Sequence, residues 1–180
     1  MFSFLRQNPR RGAIDTLYER IAAASREPPL YLALGVPDTL EGRFESLVLH
    51  AVLVLRRLRR LPAPADEVGQ DLVDALFRQL DRSLRELGVG DFGVPKRMNK
   101  LAQAFYDRAG RYDPALDAAD ASTLGEALGR SLFDGARPAR GLARYAFAGE
   151  AALAGLDLDA LLRQGPAFPP PGDFADGDKP

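Results

Sequence analysis

The sequence predicts an all-α protein, organised as a single compact multi-helix domain around one central buried helix. β-branched residues are scarce, with two Ile, three Thr and eight Val, whereas Ala, Leu, Arg and Glu are abundant. The abundant types keep their side-chain freedom in a helix, and strands favour the scarce ones. A length of 180 residues is typical of one domain, and a hydrophobic content of 46% is enough to build a sizeable core.

The first two long helices are predicted from apolar spacing and from the residues that interrupt it. Helical periodicity runs over residues 12–26 and stops at a pair of prolines. The following loop ends in Asp38 and Thr39, either of which is a suitable N-cap for the next helix. That helix is predicted from Leu40 to Arg60, and its middle is apolar on nearly all sides, as expected of an enclosed helix. We therefore predict that it forms the centre of the core.

The rest of the domain is predicted to be helical as well. Residues 65–87 carry the clearest amphipathic pattern, and Gly88 is placed to end that helix. Pro95 suits the first turn of another long helix. Beyond Asp113-Pro114, Thr123 is a candidate cap for a helix that ends near Gly135. Further helical stretches are predicted at residues 141–156 and 157–164.

Both ends of the chain are predicted to lie outside the helical domain, which spans residues 12–164. Residues 1–11 are expected to be a flexible N-terminus. Residues 165–180 hold five of the 14 Pro and three Asp, which is typical of an unstructured acidic tail. The first residues lack the apolar run of a signal peptide, and the longest apolar stretch, about nine residues, is far below the roughly 20 of a membrane span. We expect a cytoplasmic protein.

The composition argues against most catalytic chemistry. The chain has no Cys and a single His, His50, which excludes thiolate chemistry and multi-histidine metal sites. Residues 88–93 match the letters G-x-G-x-x-G and also contain D-F-G, but the preceding segment is an amphipathic helix where a dinucleotide site needs a strand. We expect no enzyme, no catalytic residue, no metal and no cofactor. Gly88, Gly90 and Asp91 are instead predicted to shape a loop between helices.

Two cationic clusters are the strongest candidates for a binding surface. The net charge is -1 and the pI is about 5.9, which argues against a DNA-binding protein. Cations at a helix C-terminus complement the helix dipole, whereas cations at an N-terminus oppose it and therefore point more strongly to a partner. Four arginines close the central helix, and a second cluster opens the Pro95 helix. From the two clusters we predict a partner-binding surface that consists of Arg56, Arg57, Arg60, Lys96, Arg97 and Lys100.

Several linked motifs resemble those of the ubiquinol-cytochrome c chaperone family. They are Gly35-Val-Pro-Asp-Thr-Leu-Glu-Gly-Arg-Phe44, Leu84-Arg-Glu-Leu-Gly-Val-Gly-Asp91, Lys96-Arg-Met98 and Ala104-Phe-Tyr106, in this order. The resemblance covers roughly residues 30–150. The chain departs from the family pattern at Asp107, where a glycine is expected, and at Asn99, where a basic residue is common. The residues expected to have structural roles in these motifs are Asp38, Arg43, Phe44, Gly88, Gly90 and Asp91.

The resemblance implies a non-enzymatic assembly factor for cytochrome b and the respiratory bc1 complex. Its client would be newly made cytochrome b, with the ribosome or a small helper subunit as further partners, at the cytoplasmic face of the inner membrane. One alternative is a helical adaptor that binds RNA, the ribosome or anionic lipid through a basic patch. Another is a haem-handling or small-molecule domain, whose soft ligands would be His50 and the two methionines, Met1 and Met98.

Overall fold

The computed structural model of the chain describes residues 9–90 and 93–175. Within these residues every regular element is a helix, which confirms the predicted all-α fold. No helix in this part of the chain has both the length and the apolar character needed to cross a bilayer. The helices are α1 Pro9–Ala24, α2 Pro28–Leu32, α3 Leu40–Arg59, α4 Ala65–Glu86, α5 Val94–Asp117, α6 Ala121–Phe133, α7 Arg140–Ala154, α8 Leu158–Arg163 and a final 3₁₀ turn Pro171–Phe174.

Helix α3 is the centre of the core, as predicted. It contacts α1, α4, α5, α6 and α7, and the consecutive residues 45–54 are all buried. The Thr39 hydroxyl caps the helix by accepting a hydrogen bond from the Gly42 amide at 3.0 Å, which decides between the two candidate caps. Gly42 also lies against the Pro37 carbonyl so closely that a Cβ atom would collide with it. The Gly35–Phe44 motif therefore specifies how the chain enters α3.

Helices α4 and α5 form an antiparallel hairpin beside α3. Gly88 follows the end of α4 at a φ of 80°, a left-handed conformation that favours glycine and confirms its predicted role. Phe77 of α4 packs edge-on against Phe105 of α5, with 5.7 Å between ring centroids. α5 does not stop at Pro114 but continues to Asp117.

Helix α1 begins earlier than predicted, at Pro9. Residues Pro9–Arg11 belong to α1 rather than to a flexible N-terminus, and Arg10 forms ion pairs at 2.7 Å with both Glu67 and Asp71 of α4. Proline is well tolerated in the first turn of a helix, because its missing N–H is not needed there. The rest of the predicted N-terminal segment, residues 1–8, lies outside the described residues.

The chain also remains packed past the predicted boundary at residue 164. Phe168 contacts the His50 ring edge-on, with 4.8 Å between centroids, and Phe174 packs against Tyr145 at 5.8 Å. These aromatic contacts stabilise the packing of the segment on the core, although its proline-rich composition predicted an unstructured tail. The tail prediction therefore differs from the structure over residues 165–175, and residues 176–180 lie outside the described residues.

Candidate functional site

Arg56 lies near the C-terminal end of α3 and is used inside the molecule. Its side chain is 3% exposed, and its guanidinium donates to Asp113 at 2.9 Å, to Asp117 at 2.7 Å and to Glu150 at 2.9 Å. These carboxylates belong to α5 and α7, so a single arginine joins three helices. A guanidinium enclosed in this way is not accessible to a partner. Arg56 is therefore a structural residue and not part of the predicted binding surface.

The neighbouring arginines are also engaged, although they are more exposed. Arg57 donates through Nε to the Leu156 carbonyl at 2.8 Å. Arg60 is 51% exposed and donates to Glu150 at 2.9 Å. Arg59 pairs with Asp113 at 2.8 Å. The arginine cluster at the end of α3 thus stabilises the junction of α3, α5 and α7.

Lys96, Arg97 and Lys100 are placed differently. All three are exposed on the first turns of α5, and none forms an ion pair with a described residue. The arginine cluster is bound to Asp113 of α5. Lys96 is 17 residues away from Asp113 along the same helix, or about 26 Å at 1.5 Å per residue. The six cations therefore do not form one surface. Lys96, Arg97 and Lys100 are the members that are both exposed and without an ion pair among the described residues.

The other motif residues shape the chain around these elements. Asp38 accepts a hydrogen bond from Arg43 Nε at 2.7 Å, and Phe44 is half-buried against the core. The Gly90 carbonyl accepts from the amides of Gly93 and Val94 and so closes the turn before α5. Asp91 lies outside the described residues.

A groove between α3, α4 and α5, with a volume of about 260 Å³, is lined mainly by apolar side chains. Gly69 of α4 lines the groove without a side chain, and a Cβ atom there would be in ordinary van der Waals contact with Leu55, at 3.7 Å. Tyr106 stands at its edge and is 59% exposed. Its lining residues are Val52, Leu55, Leu58, Arg59, Ala65, Asp66, Gly69, Gln70, Val73, Phe105, Tyr106 and Ala109.

No local pattern in the sequence locates this groove. Leu55 and Leu58 belong to the apolar face of α3, and Phe105 and Ala109 belong to that of α5. The distance between the packed helices decides which of these apolar residues line the groove. The motif Ala104-Phe-Tyr106 was the available signal, because it places an exposed tyrosine beside a buried phenylalanine.

His50 is a buried structural residue. It is 0% exposed, with Nδ1 at 2.8 Å from the Ser46 carbonyl and Nε2 at 2.7 Å from the Tyr145 hydroxyl. A carbonyl only accepts, so Nδ1 carries the proton and Nε2 accepts from Tyr145. Burial lowers the pKa of His50 to about 4, so the ring is neutral at physiological pH. With both nitrogens occupied, it is not placed to bind haem or to act as a general base on a bound substrate.

The comparisons with known proteins agree with the resemblance seen in the motifs. The sequence model of the family described as Ubiquinol-cytochrome C chaperone matches residues 32–168. The crystal structure of the Cbp3 homolog from Brucella abortus is similar, with 38% sequence identity and a TM-score of 0.76 over 96% of this chain and 93% of that chain. No curated protein matches the chain. Since the family match extends from the end of α2 to Phe168, this chain belongs to the ubiquinol-cytochrome c chaperone family.

Proposed function

We propose that this chain is a non-enzymatic chaperone that holds newly made cytochrome b during assembly of the ubiquinol-cytochrome c reductase (bc1) complex. The observation that carries the proposal is the family match over residues 32–168. Cytochrome b is the client that the family resemblance implies. We place this activity at the cytoplasmic face of the inner membrane, where a new membrane protein is inserted.

The groove between α3, α4 and α5 is the surface that we assign to the client. It is lined mainly by apolar side chains and opens to solvent beside Tyr106. Helical segments commonly bind by laying one apolar face into such a groove, with one or two large side chains as anchors. Asp66 at the groove provides a negative charge that helps to orient a bound segment.

A holding role also fits the chemistry that the described residues offer. They contain no group of three or more His, Cys, Asp or Glu side chains arranged to hold a metal. His50 is enclosed, and the buried carboxylate Glu45 is bound by Arg108 at 2.9 Å. These polar groups stabilise contacts between helices and do not line the groove.

The proposal is tested by deleting the gene and restoring it with groove variants. Deletion should lower the amount of assembled bc1 complex on native gels. Tyr106→Lys places a charge at the mouth of the groove and should reduce co-purification of newly synthesised cytochrome b by about tenfold or more, as expected for an aromatic anchor.

Leu32→Lys is the matched control, because Leu32 is 86% exposed and lies outside the groove. It should leave both readouts unchanged. Normal bc1 levels in the deletion strain would contradict the chaperone assignment. If deletion reduced bc1 levels but Tyr106→Lys still captured the client normally, only the assignment of the groove as the client-binding site would be contradicted.

A further inference from the structure

The end of the α4–α5 hairpin brings an exposed apolar side chain next to exposed cations. Phe77 and Phe105 are partners across the hairpin. Leu87 lies ten residues after Phe77, which is about 15 Å further toward the loop. Pro95 lies ten residues before Phe105, which is the same distance toward the loop on α5. Leu87 is therefore level with the first turn of α5. We call the set Leu87, Lys96, Arg97 and Lys100 the hairpin tip.

Among the described residues, no carboxylate forms an ion pair with the cations of the hairpin tip. On α4, Arg82 is paired with Glu86 at 3.0 Å and Arg85 with Asp81 at 2.8 Å. The three cations of the hairpin tip have no such partner among the described residues, and all are exposed. Their position at a helix N-terminus is electrostatically unfavourable for folding. An anionic ligand would offset that cost.

The apolar part of the hairpin tip indicates which anionic ligand fits. Leu87 is 63% exposed although it follows directly on the helix, while Leu84, one turn earlier, is buried. An exposed apolar side chain beside cations fits an anionic lipid surface, where charged headgroups border an apolar layer.

We propose that the hairpin tip docks on the surface of a bilayer that contains anionic lipid. Leu87 inserts among the acyl chains near the headgroups, and Lys96, Arg97 and Lys100 contact the headgroup phosphates. Long basic side chains around an apolar anchor are suited to this boundary, because their stems lie along the apolar layer while the charges remain in the polar layer. The net charge of -1 is no obstacle, since charges further away than about 8 Å are largely screened at physiological salt.

Vesicle flotation with the full chain tests this proposal. The protein should float with vesicles of phosphatidylcholine and phosphatidylglycerol, but not with phosphatidylcholine alone, and should be released by raised salt. Each basic residue near an anionic surface contributes about fivefold to binding, so Lys96→Gln with Lys100→Gln should weaken it roughly 30-fold. Leu87→Ser should weaken it about tenfold without changing the salt dependence.

Arg130→Gln with Arg140→Gln is the matched control, because it removes two exposed charges from α6 and α7. This variant should float like the original protein. Equal binding to neutral and anionic vesicles would overturn the proposal. The proposal would also be overturned if the protein did not float with anionic vesicles but bound RNA in a salt-sensitive way. In that case RNA binding would be lost in the double lysine variant and kept in Leu87→Ser. Since vesicle binding requires no client, its failure would leave the chaperone proposal untouched.

Discussion

The C-terminal end of α3 and the hairpin tip both carry clustered cations, but the protein uses them in opposite ways. Arg56, Arg59 and Arg60 are bound to carboxylates of α5 and α7. Lys96 and Lys100 extend into solvent at the other end of α5. A cationic cluster therefore remains exposed to a possible partner only where the fold provides no internal carboxylates for it. The comparison predicts that the first cluster determines stability and that the second affects it little.

The largest expected effect is that of removing the buried guanidinium. Arg56→Ala removes the enclosed partner of Glu150 and Asp113, which are 17% and 26% exposed. Only the half-exposed Arg60 and Arg59 then remain paired with these two carboxylates. Breaking a buried ion pair on one side costs about 3–5 kcal/mol, and we expect a loss near the lower value because Asp117 stays 65% exposed. Urea denaturation measures this loss as a change in the free energy of unfolding.

Arg60→Ala is the matched control, because Arg60 contacts the same Glu150 from a half-exposed position. It should cost less than about 1 kcal/mol. Equal losses for the two variants would mean that burial does not distinguish these arginines.

An intermediate effect is expected from His50, whose neutral form is buried beside Tyr145. Its pKa is about 4 in the folded chain, against 6.5 for the ordinary group. Between these values the unfolded chain binds a proton that the folded chain does not, so stability falls as the pH falls from 6.5 toward 4. The full difference corresponds to about 3 kcal/mol and is reached only below pH 4.

The measurement is the free energy of unfolding against pH, compared with the variant His50→Gln. Gln keeps a donor and an acceptor but does not titrate, and the carboxylates titrate in both proteins. The variant should be less stable at neutral pH and should lose less stability between pH 6.5 and 4. If the free energy of unfolding fell equally with pH in both proteins, protonation of His50 would not destabilise the fold, and this would contradict its enclosure.

The smallest effect is expected at the hairpin tip. Lys96→Gln with Lys100→Gln removes cations that oppose the dipole of α5, so the free energy of unfolding should stay the same or rise by a few tenths of a kcal/mol. Thermal unfolding of the purified variant checks this. A decrease of more than about 1 kcal/mol would show that the two lysines form structural contacts and that they are not a free surface.

Much of the fold could be predicted because it depends on neighbours along the chain. The Thr39 cap and the turn at Gly88 each involve residues within a few positions, and the enclosure of α3 is visible as an apolar run. The exposure of Lys96 and Lys100 was also predictable, since they open a helix whose apolar stripe lies on another side. The position of the groove was not predictable, because it depends on how closely α3, α4 and α5 pack at Gly69.

By itself, the sequence determined an all-α domain with a buried central helix, because composition and periodicity specify both. It also carries linked motifs that resemble those of the ubiquinol-cytochrome c chaperone family. Only the tertiary structure decided that Arg56 is internal, because its partners Asp113 and Glu150 lie 57 and 94 residues away in the chain. The same carboxylate cluster holds the last turn of α5 beyond Pro114, and the packing of Phe168 on His50 keeps the proline-rich segment in place. Such contacts leave no local pattern, because their energy arises only when distant helices come together.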